Sequence, residues 1–124
     1  MNVISTNKAP QAIGPYSQAI FKNGFLFASG QIAINPSTGN LVEGGIESQT
    51  DQVMKNIGEI LSAANLTYSD VVKTTVFITD MGSFPLINAI YGEYFKSNPP
   101  ARSCVAVSAL PKGALIEVEI VASK

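Results

Sequence analysis

Apolar and polar positions along the chain alternate in short runs, interrupted by two longer stretches of helical periodicity. Apolar residues recur at three- and four-residue steps over residues 46–64 and again over residues 84–95, which predicts two amphipathic helices. Runs rich in β-branched and aromatic residues predict strands over residues 2–5, 18–22, 25–29, 71–79, 101–108 and 115–122. The order β-β-β-α-β-α-β-β predicts an α+β fold, with two helices packed on one face of a mixed sheet.

Two local signals sharpen this prediction. Asn23-Gly24 lies between two apolar runs, which is typical of a two-residue β-hairpin with a type I′ turn. Asn65 follows the last periodic residue of the first helix and is suited to capping its C-terminus. Residues 30–45 hold several Gly and Pro turn pairs, and we predict a loop there.

Strand alternation separates a face that the helices cover from a face that they leave bare. On the last predicted strand Ile116, Val118 and Ile120 share one face, so Glu117 and Glu119 share the other. On the preceding strand Ser103, Val105 and Val107 form the more apolar set. If the apolar sets pack under the helices, the uncovered face carries four polar or reactive side chains: Arg102, Cys104, Glu117 and Glu119.

The composition bears on what covers that face. The chain is 46% hydrophobic and only 14% charged, whereas charged residues average about 25% in soluble domains. A solvated outer face is the ordinary alternative for an antiparallel sheet. The low charge content instead favours burial of the bare face against another copy of the chain. A carboxylate in such a seam would have a raised pKa and be suited to proton transfer.

Arg102 is the single arginine among 8 Lys and Arg residues. Only arginine presents a planar fork that grips a carboxylate with two parallel hydrogen bonds. Arg102 follows Pro99-Pro100-Ala101 and opens a predicted strand, which is not the usual setting of a solvated surface base. The two interpretations are an ion pair that closes a sheet edge and a binding site for a small carboxylate.

Several classes of function lack their residues. The chain has no His and one Cys, which excludes a Ser-His-Asp or Cys-His pair and an internal disulfide, and leaves no metal site to expect. The net charge is −1 and the lysines are dispersed, so we expect no nucleic-acid partner. No apolar run has the length of a membrane span, and no signal peptide is visible. We expect a cytoplasmic protein that needs no cofactor.

The residues around Arg102 resemble a known family. Its C-terminal signature is matched by residues 100–105 (PARSCV), Leu110-Pro111-Lys112 and residues 116–120 (IEVEI). Residues 12–19 (AIGPYSQA), 29–32 (SGQI) and 72–77 (VKTTVF) match its other segments. The chain thus resembles the RidA/YjgF reactive intermediate deaminases over residues 1–124, as a single domain. Ala33 departs from the proline that many relatives have after SGQI.

The resemblance implies a chorismate-mutase-like fold assembled as a homotrimer, with sites in the clefts between subunits. It also implies an activity, the hydrolysis of reactive 2-imino acids such as 2-iminobutanoate and 2-iminopropanoate to 2-keto acids and ammonia. Carried over by position, Arg102 binds the substrate carboxylate and Glu117 activates the water. Four further positions bind substrate or line the cleft: Tyr16, Gly30, Asn88 and Cys104.

Each of these four residues also has a purely structural interpretation. Tyr16 can be interface packing, Gly30 a backbone turn, Cys104 a small buried side chain and Asn88 a helix-surface amide. Glu119 is interpreted as structural or pore-lining. Alternative functions are a non-catalytic binder of 2-keto acids, an endoribonuclease or translation inhibitor, and a chaperone that uses the apolar surface.

Overall fold

The computed structural model describes all 124 residues and confirms the predicted α+β architecture. The main elements are β1 (Asn2–Ile4), β2 (Ala19–Lys22), β3 (Phe25–Gln31), β4 (Ile34–Asn35), β5 (Asn40–Leu41), α1 (Ile46–Ala63), β6 (Val71–Ile78), α2 (Phe84–Tyr94), β7 (Ala101–Ala106) and β8 (Ile116–Ser123). One sheet has the strand order β1-β2-β3-β8-β6-β7, in which β6 and β7 run parallel and the other neighbours antiparallel. Neither helix has the length and apolar character that crossing a bilayer requires.

The two local signals in the sequence form as predicted. Asn23 and Gly24 have φ of 53° and 82°, the positive values that both central residues of a type I′ turn adopt. Asn65 follows α1 with φ of 60°. Its N–H donates to the Ser62 carbonyl over 3.0 Å, and the Leu66 N–H donates to the Leu61 carbonyl over 2.9 Å. These two bonds make a Schellman motif that ends the helix.

The core lies between the helices and one face of the sheet. Its largest fully buried side chains come from α1 and the central strands, and include Leu26, Met54, Ile57, Ile60, Ile78 and Ile116. The buried Asn56 of α1 donates to the carbonyls of Ile32 and Ile34 over 3.2 and 3.0 Å. Ile32 lies just before β4 and Ile34 lies within it. β4 and β5 form a small hairpin, which the prediction of a plain loop over residues 30–45 missed.

The two faces of the sheet differ from the prediction at β7. Arg102 aligns with Thr74 and Cys104 with Val76, and those β6 residues align with the buried Ile120 and Val118. Arg102 and Cys104 therefore lie on the helix-covered side. The prediction that they share the uncovered face with Glu117 and Glu119 is wrong. The physical reason is that β7 is an edge strand which α2 covers only in part, so burial does not dictate its pattern.

The uncovered face is apolar for a surface. Phe25, Phe27 and Val105 point to this side and are 42%, 51% and 43% exposed. Glu117 aligns with Phe77 and Glu119 with Thr75 on the same face. Large exposed apolar side chains on one sheet face are typical of a surface that another protein covers.

Candidate active site

A cleft of about 630 Å³ opens beside the uncovered face, between the segment before β2, the end of β3 and the start of β8. Its lining includes three residues predicted for the site: Tyr16, Gly30 and Glu117. Glu119 and Lys112 supply its other charged groups. The fold therefore brings these three predicted residues together, although they are far apart in the sequence.

A β-bulge shapes the cleft floor. Ala28 aligns with Ile120 and Gln31 with Val118, so Ser29 and Gly30 together oppose the single residue Glu119. Such a bulge bends the strand and re-aims the backbone beside it. The Glu117 carboxylate lies against Gly30, because a Cβ placed on Gly30 would overlap Glu117 Oε2 and lie 2.8 Å from its Cδ.

The Glu117 carboxyl has an altered acidity. Partial burial raises its pKa above the ordinary value, and the negative charge of Glu119 raises it further. The two carboxylates occupy alternate positions of one strand, about 7 Å apart at their backbones. A carboxyl with a raised pKa is better suited than an ordinary one to accept and return a proton, as general acid–base catalysis requires.

One buried amide anchors the beginning of the segment that precedes β2 and carries Tyr16. Gln18 Oε1 accepts from the Thr6 N–H over 2.7 Å, and Gln18 Nε2 donates to the Thr6 and Pro10 carbonyls over 3.0 and 2.7 Å. Gln18 is only 4% exposed. Further along, the Tyr16 hydroxyl accepts from the Ile13 N–H over 3.3 Å. Gln18 thus substitutes for the ladder hydrogen bonds that this irregular segment lacks.

A second group of predicted residues lies where β7 meets α2. Arg102 Nη1 donates to Asn88 Oδ1 over 2.8 Å. The guanidinium carbon stands 5.1 and 4.9 Å from the ring centres of Phe84 and Tyr91, within cation–π range. The single ion pair of the chain joins Lys55 to Asp51, so no carboxylate of the chain neutralises Arg102. The guanidinium is oriented and remains available for an anion.

Cys104 lies two residues beyond Arg102 on the same face and packs against the core. Burial raises the pKa of its thiol, and the nearby positive charge of Arg102 opposes that rise. A thiol with a raised pKa is protonated at neutral pH and is a poor nucleophile. The backbone contact between Cys104 and substrate stays a prediction.

The two groups lie on opposite faces of the sheet within one chain. Tyr16, Gly30 and Glu117 line the cleft, whereas Asn88, Arg102 and Cys104 are absent from its lining. The first group is the acid half-site and the second is the arginine half-site. From the sequence, Arg102 and Glu117 were predicted to share one face of the sheet. A single copy of the chain does not bring them into one crevice.

Among the cleft residues that were not predicted from the sequence, two are buried glutamines. Gln18 and Gln31 both line the cleft and are buried, and Gln31 Oε1 has no hydrogen-bond partner. The sequence does not indicate which backbone groups the side chain of a glutamine before or within a strand will bind. No group of three or more His, Cys, Asp or Glu side chains is arranged to hold a metal ion.

The sequence and the fold correspond to one protein family. The family described as Endoribonuclease L-PSP matches residues 6–124, nearly the whole chain. The chain belongs to this family, and the resemblance to RidA/YjgF proteins is confirmed.

Individual relatives are similar over the same span. The human 2-iminobutanoate/2-iminopropanoate deaminase is 54% identical over 120 residues, which is 97% of this chain and 88% of the human protein. The crystal structure of RidA from an Antarctic Psychrobacter superposes with a TM-score of 0.97 at 39% identity, covering 100% of both chains. E. coli TdcF with bound serine gives a TM-score of 0.96 at 38% identity, covering 100% of this chain and 99% of that one.

Proposed function

We propose that the chain is a deaminase of reactive 2-imino acids, converting 2-iminobutanoate and 2-iminopropanoate to 2-keto acids and ammonia. The observation that carries this proposal is the unneutralised Arg102 guanidinium, held in place by Asn88 and two aromatic rings. A preset fork of this kind suits the carboxylate of a small acid. The human protein that is 54% identical carries this activity in its name.

The complete site forms between copies of the chain. The acid half-site of one subunit faces the arginine half-site of its neighbour, and a homotrimer repeats this contact around a ring. What supports this arrangement is the separation of the half-sites within one chain and the exposed apolar residues Phe25, Phe27 and Val105. The partner contact also removes water from Glu117, which strengthens the electrostatic interactions there.

The chemistry requires orientation and proton transfer more than a strong nucleophile. Arg102 fixes the substrate carboxylate with two hydrogen bonds, which places C2 of the protonated imine beside Glu117. Glu117 accepts a proton as water adds to C2, and returns it to the C2 nitrogen. It then accepts the remaining hydroxyl proton as ammonia leaves and the C2 carbonyl forms. Ammonia takes up that proton, so the products are a 2-keto acid and ammonium.

The remaining predicted residues shape the pocket around the substrate. Tyr16 closes the cleft over the substrate, and Asn88 holds the Arg102 fork in its productive orientation. The backbone at Gly30 and Cys104 lies against the substrate. The reaction as proposed uses only groups of the chain and one water. The free thiol of Cys104 suits a reducing compartment, and we propose the cytoplasm.

The test is a coupled assay with a threonine dehydratase, which generates 2-iminobutanoate in place. We expect the chain to accelerate the release of ammonia and 2-ketobutanoate over the spontaneous rate, and Arg102→Ala to abolish that acceleration. If neither product forms faster than without the protein, the deaminase proposal is wrong.

A non-catalytic carboxylate binder is the second candidate, because the related E. coli TdcF was crystallised with bound serine. Such a binder would retain 2-ketobutanoate affinity and show no acceleration in the coupled assay. RNA cleavage, which the family description names, is not proposed, since the cleft pairs two carboxylates with one lysine and would repel phosphates.

A further inference from the structure

Gly30, in the cleft, has no room for a side chain, and its backbone conformation is not the reason. Five of the chain's glycines adopt positive φ, where a side chain is strained, but Gly30 is not among them. An alanine would therefore find an acceptable backbone conformation at residue 30. The obstacle is a neighbouring side chain, since a Cβ on Gly30 would overlap Oε2 of Glu117 and lie 3.0 Å from its Cγ.

The backbone at this point is anchored and has little freedom to move aside. The Ser29 N–H donates to the Gln18 carbonyl over 2.9 Å, and Ser29 Oγ donates to the Ser17 carbonyl over 2.6 Å. On the other side, Gln31 is buried and aligned with Val118. The end of the Glu117 side chain is flexible, whereas the strand is anchored. An added methyl group at Gly30 would therefore displace the carboxylate rather than the strand.

We propose that Gly30 is the positioning residue of Glu117: the space left by its missing side chain is the seat that holds the carboxylate in the cleft. This role differs from a backbone contact between Gly30 and the substrate. It rests on the proposed function only in the claim that the seated carboxylate acts on water. The seat itself is a property of the chain and can be measured without substrate.

Gly30→Ala is a narrow probe of this seat, and the chain offers a matched control. Gly58 in α1 also has no positive φ, and its Cβ would overlap the Tyr68 hydroxyl, which donates to the Met54 carbonyl. Gly58→Ala therefore creates the same kind of conflict with a side-chain end, away from the cleft. It should lower the melting temperature and leave kcat unchanged below that temperature.

The kinetic test uses ammonia release from freshly generated 2-iminobutanoate. A displacement of about 1 Å at a catalytic group can lower turnover about 100-fold. We expect Gly30→Ala to lose kcat on that scale with KM within about twofold, because the Arg102 fork is untouched. Added to Glu117→Gln, it should cause no further loss. A kcat within twofold of wild type, or an equal loss in the Glu117→Gln background, would overturn the proposal.

A second readout is independent of turnover. The Glu117 carboxyl can be titrated by carbon NMR in wild type, Gly30→Ala and Gly58→Ala. We expect the raised Glu117 pKa to move toward its ordinary value in Gly30→Ala alone, because the displaced carboxyl leaves the position in which burial raises that pKa. The other titratable groups that face this cleft are Glu119, Lys112 and Tyr16. If the Glu117 pKa is the same in Gly30→Ala as in wild type, the proposed positioning role of Gly30 is wrong. This holds even if wild type proves to have no deaminase activity.

Discussion

Arg102 is held by groups that orient its charge without cancelling it. Asn88 contributes a neutral carbonyl oxygen, and Phe84 and Tyr91 contribute ring faces. Each contact fixes the plane of the guanidinium and leaves donors free for a carboxylate. This is the arrangement expected of a binding group, because a purely structural arginine at a sheet edge would pair with an acid of its own chain.

We predict that Arg102→Lys lowers kcat/KM by roughly 10- to 100-fold, since a hydrogen bond to a charged group contributes about 1.5–3 kcal/mol and lysine cannot bind in the bidentate manner. The coupled dehydratase assay measures the loss. Lys55→Arg makes the reverse exchange in the exposed Asp51 ion pair and should leave kcat/KM unchanged. Near-normal turnover in Arg102→Lys would contradict a bidentate clamp.

The ionised Glu117 carboxylate destabilises the folded protein. This predicts a pH-dependent difference in melting temperature between wild type and Glu117→Gln. Its folded pKa is raised by burial and by Glu119, so folding favours the protonated form. The stability from that form is fully present below the ordinary pKa of 4.5 and is lost as pH rises through the folded pKa. Glu117→Gln, a neutral mimic, should therefore melt higher than wild type at pH 7, and the gap should close near pH 4.

Scanning calorimetry across this pH range measures the gap. Glu119→Gln is the comparison, because Glu119 is more exposed and removing its charge should lower the Glu117 pKa instead. A gap that widens as the pH falls would show that the Glu117 pKa is lowered in the folded protein.

At the scale of elements, local signals predicted local structure. The Asn23-Gly24 hairpin and the Asn65 helix end form as expected because each depends on backbone angles that few residues adopt. The face of β7 could not be predicted in the same way. Its register is set by parallel pairing with β6, and as an edge strand it need not place its valines in the core.

The candidate site was predictable in part for the same reason. Arg102 stands out in the sequence because it is unique, and Glu117 because it alternates with apolar residues. The seat at Gly30 and the anchoring amide of Gln18 depend on contacts between segments distant in the chain. No spacing in the sequence reports which backbone groups a buried amide will bind.

The Gln18 amide allows a prediction about the segment before β2. Gln18→Ala removes three hydrogen bonds to Thr6 and Pro10 and leaves their partly buried backbone groups without these partners. We expect a loss of about 1–3 kcal/mol in unfolding free energy. Amide hydrogen exchange should increase over residues 6–17, with α1 unaffected. KM should rise because the segment carries Tyr16, and unchanged exchange would contradict the anchoring role.

At the scale of the whole molecule, the exposed apolar face predicts assembly. Phe27 is 51% exposed at the centre of that face. Phe27→Glu would bury a charge in the proposed interface, so we expect sedimentation to show dissociation from trimer to monomer. Leu86→Glu, on α2 with 46% exposure, is the matched control and should remain assembled. A trimer that survives Phe27→Glu would place the interface elsewhere.

The division of the site between subunits makes a prediction that neither half-site makes alone. Arg102→Ala and Glu117→Ala should each be inactive, since each damages one half-site of every cleft. In trimers refolded from an equal mixture, about one quarter of the clefts combine an intact Arg102 from one subunit with an intact Glu117 from its neighbour. We therefore expect about one quarter of wild-type ammonia release, measured after confirming trimers by sedimentation. Both residues acting within one chain would give no recovery, because no subunit of the mixture carries both.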